Sequence, residues 1–515
     1  MLPYINRKNN KRIIMNIKLK DIQPHILESE LRLPSEDVII RDISHDSRKV
    51  NPGCLFICIS GVKMDGHQFA ESAIKNGAAA LVVERYLPEL SQVPQLIVKD
   101  ARKAESIISA VFFGYPSRKM AVIGVTGTNG KTTTTYLVES LLKAAGHRPG
   151  VIGTIEYRYA GKQIPSQNTT PSSLDLNRLL ADMVNEGCDR LVMEVSSHSL
   201  VQERVDSIDF DYGIFMNITR DHLDYHGTME NYLAAKCLLF QKLGKDYEKG
   251  FAKKSLINID DPMAEKVIAS SSVPVLTFGI NHKADFQASN IKLSVSGVSF
   301  DVITPSGKTN IKLQISGLFN VYNSLAAISL AESMGIQLDI AKKALESITC
   351  VPGRFQRVDK GQDFLVLVDY AHTDDALKNL LNSARQITQG KMIIVFGAGG
   401  DRDRGKRPLM GEVAARYANQ LIVTSDNPRN EDPARIALDV EIGIKRVADS
   451  ENRYKVILNR DEAIREAIFM AQPGDSVLIA GKGHETYETF ANGYSIHFDD
   501  VEVSEKYLLE RNRKK

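Results

Sequence analysis

One run carries the strongest chemical signal in the chain: Gly124-Val125-Thr126-Gly127-Thr128-Asn129-Gly130-Lys131-Thr132-Thr133. It follows the β-rich run Met120–Val125 and opens a helical pattern from Lys131 to Ala145, with Gly146 as its stop. A glycine-rich turn between strand and helix aims backbone N–H groups and the helix N-terminus at phosphate. In such a loop Lys131 meets the β/γ-phosphates and the Thr132 hydroxyl meets Mg²⁺. The spacing GxxxxGK[ST] requires glycine at 125, where Val125 stands, so the loop takes the shorter form GTNGKTT. By itself it leaves kinase, ATPase and ligase chemistry open.

Further polar residues sit at the ends of apolar runs. Glu194-Val195-Ser196-Ser197-His198 closes the run from Arg190, and Asp221-His222-Leu223-Asp224-Tyr225-His226-Gly227 follows Tyr212–Ile218. Ligands collect at strand ends along one edge of a parallel sheet, so Glu194 and His222 are candidates to share a Mg²⁺ with Thr132. His222 reads equally as a loop histidine satisfied within the fold. Lys236, in the apolar helical stretch Tyr232–Phe240, reads as a snorkelling lysine. Asn168-Thr169-Thr170-Pro171 precedes a helix and reads as an N-cap, and Arg204 is suited to pair bidentately with a carboxylate or phosphate.

Gly397-Ala398-Gly399-Gly400-Asp401-Arg402 follows a strand but is no GxGxxG motif, because Arg402 stands where the last glycine belongs. The run Gly399–Arg407 reads as a charged, solvated loop. Ser425-Asp426-Asn427-Pro428-Arg429-Asn430 and Gly481-Lys482-Gly483-His484-Glu485 end two further apolar runs.

These residues need elements to hold them, and three compositional territories supply them. From about 16 to 116, short strand-like runs (Val38–Ile40, Cys54–Ile59, Ala80–Val83, Leu96–Val98) mix with helical stretches such as Phe69–Asn76, up to Gly114-Tyr115-Pro116. From Lys119, continuous apolar strands alternate with helices, which implies a parallel sheet covered on both faces. Between Asp285 and Ser316 the apolar residues alternate with polar ones, implying an antiparallel insertion or sheet edge, and Asn320–Met334 is a helix. After Pro352-Gly353 a third α/β territory has strands at Leu365–Val368, Met392–Phe396, Leu421–Thr424, Val456–Leu458 and Val477–Ile479, with helices at Glu412–Ala418 and Ala463–Met470.

Composition bounds the rest. A length of 515 residues implies several domains, and 43% hydrophobic with 25% charged residues excludes a mainly disordered chain. The formal charge of +2 gives no global signal for nucleic acid. Cys54, Cys58, Cys188, Cys237 and Cys350 form no zinc-type pair and read as reduced thiols. No apolar run is long enough to cross a membrane. The start carries Arg7, Lys8, Lys11 and Arg12 without a signal-peptide core and reads as a disordered extension over 1–15.

GTNGKTT is the form found in Mur ligases and folylpolyglutamate synthases, and from about Asp46 to Glu488 the chain resembles the Mur ligases. The resemblance implies an α/β protein of three domains: an N-terminal UDP-binding α/β domain at 16–117, a central P-loop parallel-sheet ATPase domain with an antiparallel part at 118–351, and a C-terminal Rossmann-like domain binding the amino acid at 352–515. It implies ATP contacts from Gly127, Thr128, Asn129, Gly130, Lys131, Thr132, Thr133, Asn320 with Asn323, Arg354, and Asp369 in Asp369-Tyr370-Ala371-His372. Lys131, Glu194, His222 and Lys236 become the catalytic set. Thr132, Glu194, His222 and Lys236 would bind Mg²⁺, the lysine as N6-carboxylysine, a carbamate formed by CO₂ on an amine that burial holds neutral. Ser47 (in Asp46-Ser47-Arg48), Asn168, Thr169, Thr170, Ser196, Gln202, Arg204 and Lys236 would hold the UDP-MurNAc dipeptide. The Gly61–Gly66 turn departs from the family's at 62–64.

In the family, DNPR marks addition of meso-diaminopimelate. Arg402, Asp426, Asn427, Pro428, Arg429, Gly481 and Glu485 would hold it, with Arg429 clamping the carboxylate that lysine lacks and Glu485 taking an ammonium. The expected enzyme is a monomeric cytoplasmic ligase of peptidoglycan precursor synthesis, part of cell-wall biogenesis, cell shape and division. It would use ATP to join meso-diaminopimelate to the D-Glu side-chain carboxylate of UDP-MurNAc-L-Ala-D-Glu through an acyl phosphate. A lysine-adding ligase, a folylpolyglutamate synthase and a P-loop switch or motor are the alternatives.

Overall fold

A computed structural model of the protein describes residues 16–34, 37–61, 64–244 and 247–513. The expected extension over 1–15, and Val62 and Lys63 of the Gly61–Gly66 turn, lie outside the described residues.

Among the described residues three large sheets follow one another along the chain, with two two-stranded ladders, Ile17–Lys18 with Ile39–Ile40 and Tyr487–Thr489 with Ser495–His497, beside them. The first has five strands in the order Glu30–Arg32, Gln95–Ile97, Ala78–Val83, Cys54–Ile57, Asp42–Ser44, parallel except for the Glu30–Arg32 edge. Helix Ala101–Phe112 covers it. Asp100 caps that helix by accepting from the Arg102 and Lys103 N–H groups, and Ala104, Ile108 and Phe112 are buried.

The second sheet has eleven strands. Its parallel block runs Pro149–Ile152, Arg190–Glu194, Ala121–Thr126, Tyr212–Phe215, Lys254–Asn258, Val275–Gly279, Phe286–Ser294. Both ends turn antiparallel: Glu156–Tyr159 with Lys162–Pro165 at one, Gly297–Thr304 with Gly307–Leu313 at the other. The alternation after Asp285 foretold the second end. The first is a finding, because Lys162–Pro165 is half exposed and carries no clean alternation. One face packs Leu137, Val138 and Leu141 of helix Lys131–Ala144 against Leu325 and Ile328 of helix Leu318–Ser333. The other packs Leu176 and Leu180 of Ser173–Asn185 and Leu239 and Phe240 of Met229–Lys242. Fully covered strands explain the uninterrupted apolar runs.

The third sheet runs Gln356–Arg357, Leu365–Asp369, Ser476–Ala480, Met392–Phe396, Gln420–Val423, Tyr454–Val456, with only the first strand antiparallel. The last strand sits two residues earlier than the hydrophobic run Val456–Leu458 suggests, and the helix expected at Glu412–Ala418 begins at Lys406. The Gly399–Arg407 run is therefore not simply a solvated loop. Arg407 is buried and donates to Glu431 at 2.8 and 3.0 Å and to Asp439 at 2.9 Å.

The second and third sheets are joined at the phosphate loop. Asp375 Oδ2 accepts from Asn129 Nδ2 at 3.0 Å and Thr219 Oγ1 at 2.8 Å, while Arg354 Nη2 donates to Thr132 Oγ1 at 3.0 Å.

Candidate active site

The strand Ala121–Thr126 lies where the chain's order across the sheet reverses, with Arg190–Glu194 on one side and Tyr212–Phe215 on the other. Its carboxyl end is the crevice in which open parallel sheets bind ligands. The turn leaving it ends in Gly130 (φ +88°), where an added Cβ would lie 2.7 Å from Asn323 Oδ1. Gly130 serves as N-cap of helix Lys131–Ala144 and offers no side-chain acceptor, so the first-turn N–H groups face the crevice uncapped. Lys131 Nζ is enclosed, donates to the Gly127 and Thr128 carbonyls at 2.8 Å each, and has its pKa lowered by burial. Thr128 Oγ1 lies 3.1 Å from Tyr232 OH, and Asn129 N–H donates to Asn217 at 2.9 Å. Thr133 is buried in the same turn.

Glu194 ends the adjacent strand and is fully buried, accepting from Thr154 N–H at 2.8 Å and Thr154 Oγ1 at 2.9 Å. His222 stands at the far side of the loop, with left-handed backbone (φ +53°) and its ring 4.8 Å from that of His198. Partial burial and neighbouring cations lower its pKa to about 4 against the pull of Asp221. Lys236 is 1% exposed, so it does not snorkel. Its ammonium lies over the Tyr232 ring at 4.5 Å, and burial, with Lys131 nearby, holds its pKa well below the usual lysine value. Among the described residues no three His, Cys, Asp or Glu side chains gather as metal ligands. The expected donors Glu194, Thr132 and His222 would supply one carboxylate, one hydroxyl and one imidazole, a set that suits an ion keeping waters and substrate phosphates rather than a closed protein cage.

Of the residues expected on the nucleotide side at the interdomain border, Asn320 and Asn323 are buried and Arg354 and Asp369 half-buried. Asn320 donates to Ser316 O at 2.7 Å and accepts from Asn323 at 3.0 Å. Asp369 accepts from the Phe355 and Ala371 N–H groups at 2.7 and 2.9 Å, which fixes the turn carrying Arg354, and burial raises its pKa. Gly353 (φ +63°) makes that turn possible, since a Cβ there would meet His484 N at 2.1 Å.

Asn168, Thr169 and Thr170 do not cap the next helix; Ser172 does, accepting from Asp175 N–H at 3.2 Å. Thr169 Oγ1 meets Thr154 Oγ1 at 3.0 Å, and Thr170 Oγ1 donates to Glu194 O at 2.9 Å and accepts from Ser196 N–H at 3.2 Å. Arg204 donates to Thr170 O at 3.0 Å and to Gln202 Oε1 at 3.0 and 2.5 Å. Ser47 opens the short 3₁₀ turn Ser47–Lys49 beside the first sheet, and its carbonyl accepts from Asn76 Nδ2 at 2.9 Å.

A cavity of about 630 Å³ opens between the second and third sheets. It brings together Asn168, Thr169 and His222 from one side with Arg402, Asp426, Asn427, Arg429, Gly481 and Glu485 from the other. Arg429 Nη1 donates to Gly400 O at 2.7 Å, Arg402 Nη1 to Asp401 O at 3.1 Å, and Asn427 Nδ2 to Glu485 Oε2 at 2.8 Å. Burial and Asp426 raise the Glu485 pKa. Pro428 closes over Gly400, whose added Cβ would lie 1.8 Å from Pro428 O. Ser47, Ser196, Gln202, Arg204 and the phosphate loop do not line this cavity. Sequence reasoning missed Lys406, Tyr487, Asp221 and Asp374 as lining residues and Asp375 as the contact to the phosphate loop. Their types were visible, but only the fold shows which way they face.

Known proteins resemble the chain over nearly its whole length. Residues 39–112 match the Mur ligase family catalytic domain, 125–331 the Mur ligase middle domain, and 353–483 the Mur ligase glutamate ligase domain. The UDP-N-acetylmuramoyl-L-alanyl-D-glutamate--2,6-diaminopimelate ligase of Geobacillus thermodenitrificans is 47% identical over 466 residues, covering 90% of this chain and 94% of that protein. The ligase of the same name from Listeria monocytogenes is 45% identical, covering 93% and 96%. A solved structure of a ligase with that name superposes with a TM-score of 0.68 at 33% identity, covering 97% of this chain and 100% of the other. MurF ligase from Thermotoga maritima in complex with ADP shares the fold at a TM-score of 0.64 and 20% identity, covering 91% and 98%.

Proposed function

The chain belongs to the Mur ligase family, and from that premise we propose that it is an ATP-dependent ligase joining 2,6-diaminopimelate, in its meso form, to UDP-N-acetylmuramoyl-L-alanyl-D-glutamate. The observation that carries the reading is the shared cavity: the Asp426–Arg429 loop and Glu485 face Asn168, Thr169 and His222 across it.

A carboxylate is a poor electrophile, and phosphorylation converts it into an acyl phosphate that an amine attacks with loss of phosphate. Lys131 neutralises charge on the transferring γ-phosphoryl group, and the N–H groups of Gly127–Thr133 hold the phosphate chain. Asn320, Arg354 and Asp369 border the rest of the nucleotide. Thr132, Glu194 and His222, with Lys236 once carbamylated, would hold Mg²⁺, which when bound offsets the phosphate charge. Asn168, Thr169, Thr170, Ser196, Gln202 and Arg204 orient the dipeptide end, and Ser47 borders the uridine end. Arg429 and Arg402 take the distal carboxylate of the incoming amino acid, and Glu485 and Asp426 its ammonium, on a frame built with Asn427, Pro428 and Gly481. The links from Asp375 and Arg354 to the phosphate loop keep the two halves together and water away from the acyl phosphate. The reading places the enzyme as a monomer in the cytoplasm, where ATP and its nucleotide-linked substrate occur.

The test is phosphate release by purified protein with ATP, Mg²⁺ and UDP-MurNAc-L-Ala-D-Glu, given diaminopimelate or lysine separately. Release with diaminopimelate is expected. Release with lysine alone overturns the role given to Arg429, and release with neither overturns the ligase.

A further inference from the structure

Arg460 opens the helix Arg460–Met470 and is fully buried against an equally buried Asp500, at the start of helix Asp500–Arg513. Its Nε meets Asp500 Oδ1 at 2.7 Å and its Nη2 meets Asp500 Oδ2 at 2.8 Å. The guanidinium is not spent on that pair alone. Nη1 donates to Ser425 O at 3.2 Å and Nη2 to Ala480 O at 3.0 Å. Ser425 immediately precedes Asp426–Arg429, and Ala480 immediately precedes Gly481–Glu485.

The two loops leave strands that are not neighbours, because Met392–Phe396 lies between Gln420–Val423 and Ser476–Ala480. No ladder of backbone hydrogen bonds therefore joins them. At the mouth they are linked by Asn427 Nδ2 to Glu485 Oε2, a bond made with a group that an incoming ammonium would claim, and by the buried Lys482 Nζ, which donates to Asn427 Oδ1 at 3.2 Å. At the base they are linked by Arg460. A planar fork with five donors can hold a carboxylate and two carbonyls in fixed directions, which a lysine ammonium cannot. The Asp426 and Glu488 carboxylates also act on Arg460, so its charge offsets these anions, the first of which lines the cavity. Another buried pair shows what a purely structural bridge looks like here: Lys249 meets Asp211 at 2.8 Å, and its remaining contacts, the Met120 and Asp209 carbonyls, belong to no ligand loop.

We propose that Arg460 is a positioning residue for amino-acid selection, setting the separation of the Asp426–Arg429 and Gly481–Glu485 loops through their preceding carbonyls. The identity of the amino acid rests on the function proposed above; the positioning does not. Arg460→Lys keeps the charge and loses the fork. It is expected to raise KM for diaminopimelate by about tenfold or more and to leave KM for ATP within about twofold. Amide hydrogen exchange should quicken in residues 426–429 and 481–485 and stay unchanged in 127–133. If Arg460→Lys does not fold, Arg460→Met combined with Asp500→Leu removes the pair without stranding a buried charge, and the same result is expected. A folded variant with wild-type exchange in both loops overturns the proposal, as do equal rises in both KM values, or the failure of both variants to fold. Wild-type protein that releases no phosphate with diaminopimelate overturns the proposed substrate alone, and the exchange readout then decides the positioning role by itself.

Discussion

At the edge of the eleven-stranded sheet, Glu194 and Lys236 are buried and Lys131 Nζ is enclosed: Glu194 accepts from Thr154, Lys131 donates to the Gly127 and Thr128 carbonyls, and Lys236 lies over Tyr232 of its own helix. Across the cavity, Arg402 is exposed, Arg429 and Glu485 are partly so, and their hydrogen bonds go to neighbouring loops. Groups that must meet developing charge gain from a dry, preorganised setting. Groups that choose between amino acids need only the right charges at the right spacing, and loops supply that with freedom to vary. The comparison teaches that the phosphate edge should fail in catalysis when altered, and the loop side should fail in choice.

Lys131→Ala is the sharpest break. With Glu194 and the fold retained, it should lower kcat by about a thousandfold or more, because the charge it supplies acts mainly in the transition state. The measurement is phosphate release at saturating substrates, with a thermal melt within a few degrees of wild type. A fall in rate that a higher ATP concentration restores, leaving kcat at the wild-type value, would place Lys131 in binding alone.

Arg429→Ala tests the other side. It should raise KM for diaminopimelate by about a hundredfold, the scale of a lost charge-assisted bidentate contact, and change KM for ATP little. Steady-state kinetics with each substrate varied in turn checks it. Equal losses would show that the two sides do not divide their work as their construction implies.

Gly353→Ala attacks the border between them. At φ +63° and with a Cβ 2.1 Å from His484 N, the turn carrying Arg354 has no room for a side chain. The expected cost is at least about 2 kcal/mol, from strain plus the displaced contact, read as a lower melting temperature. Because Arg354 reaches Thr132, ATP-dependent activity should fall with it.

Much of this division was already legible in particular residues. GTNGKTT stands between strand Ala121–Thr126 and helix Lys131–Ala144 as the run implied, and the covered strands announced themselves as unbroken apolar runs. The antiparallel pair Glu156–Pro165 was not legible, because its edge strand Lys162–Pro165 is four residues long with Ile164 as its one aliphatic residue. Nor was the inward turn of Arg407, read as part of a solvated run, since its partners Glu431 and Asp439 are distant in sequence. Lys236 shows the limit most clearly: an apolar helix with one lysine fits both snorkelling and burial, and only the neighbouring helices and loops decide.

The smallest expected effect concerns histidines gathered where the two sides meet. His198, His222, His226, His372 and His484 all have lowered pKa values, with burial the largest cause in each. For His484 burial, with Arg354 and His372 nearby, brings the value to about 3. The unfolded chain titrates near the ordinary value of 6.5, so between there and the folded value it binds more protons than the native state. Stability must therefore rise with pH across this window and be lost as pH falls from about 6.5 toward 3, by up to about 1.4 kcal/mol per pH unit for one group. His484→Gln removes one such proton. Unfolding in urea between pH 6 and 4.5 should then show a pH slope smaller by about one proton than in wild type. Identical slopes in the two proteins would mean that this buried seam does not hold its histidines neutral, and the dry setting assigned to it would go with that result.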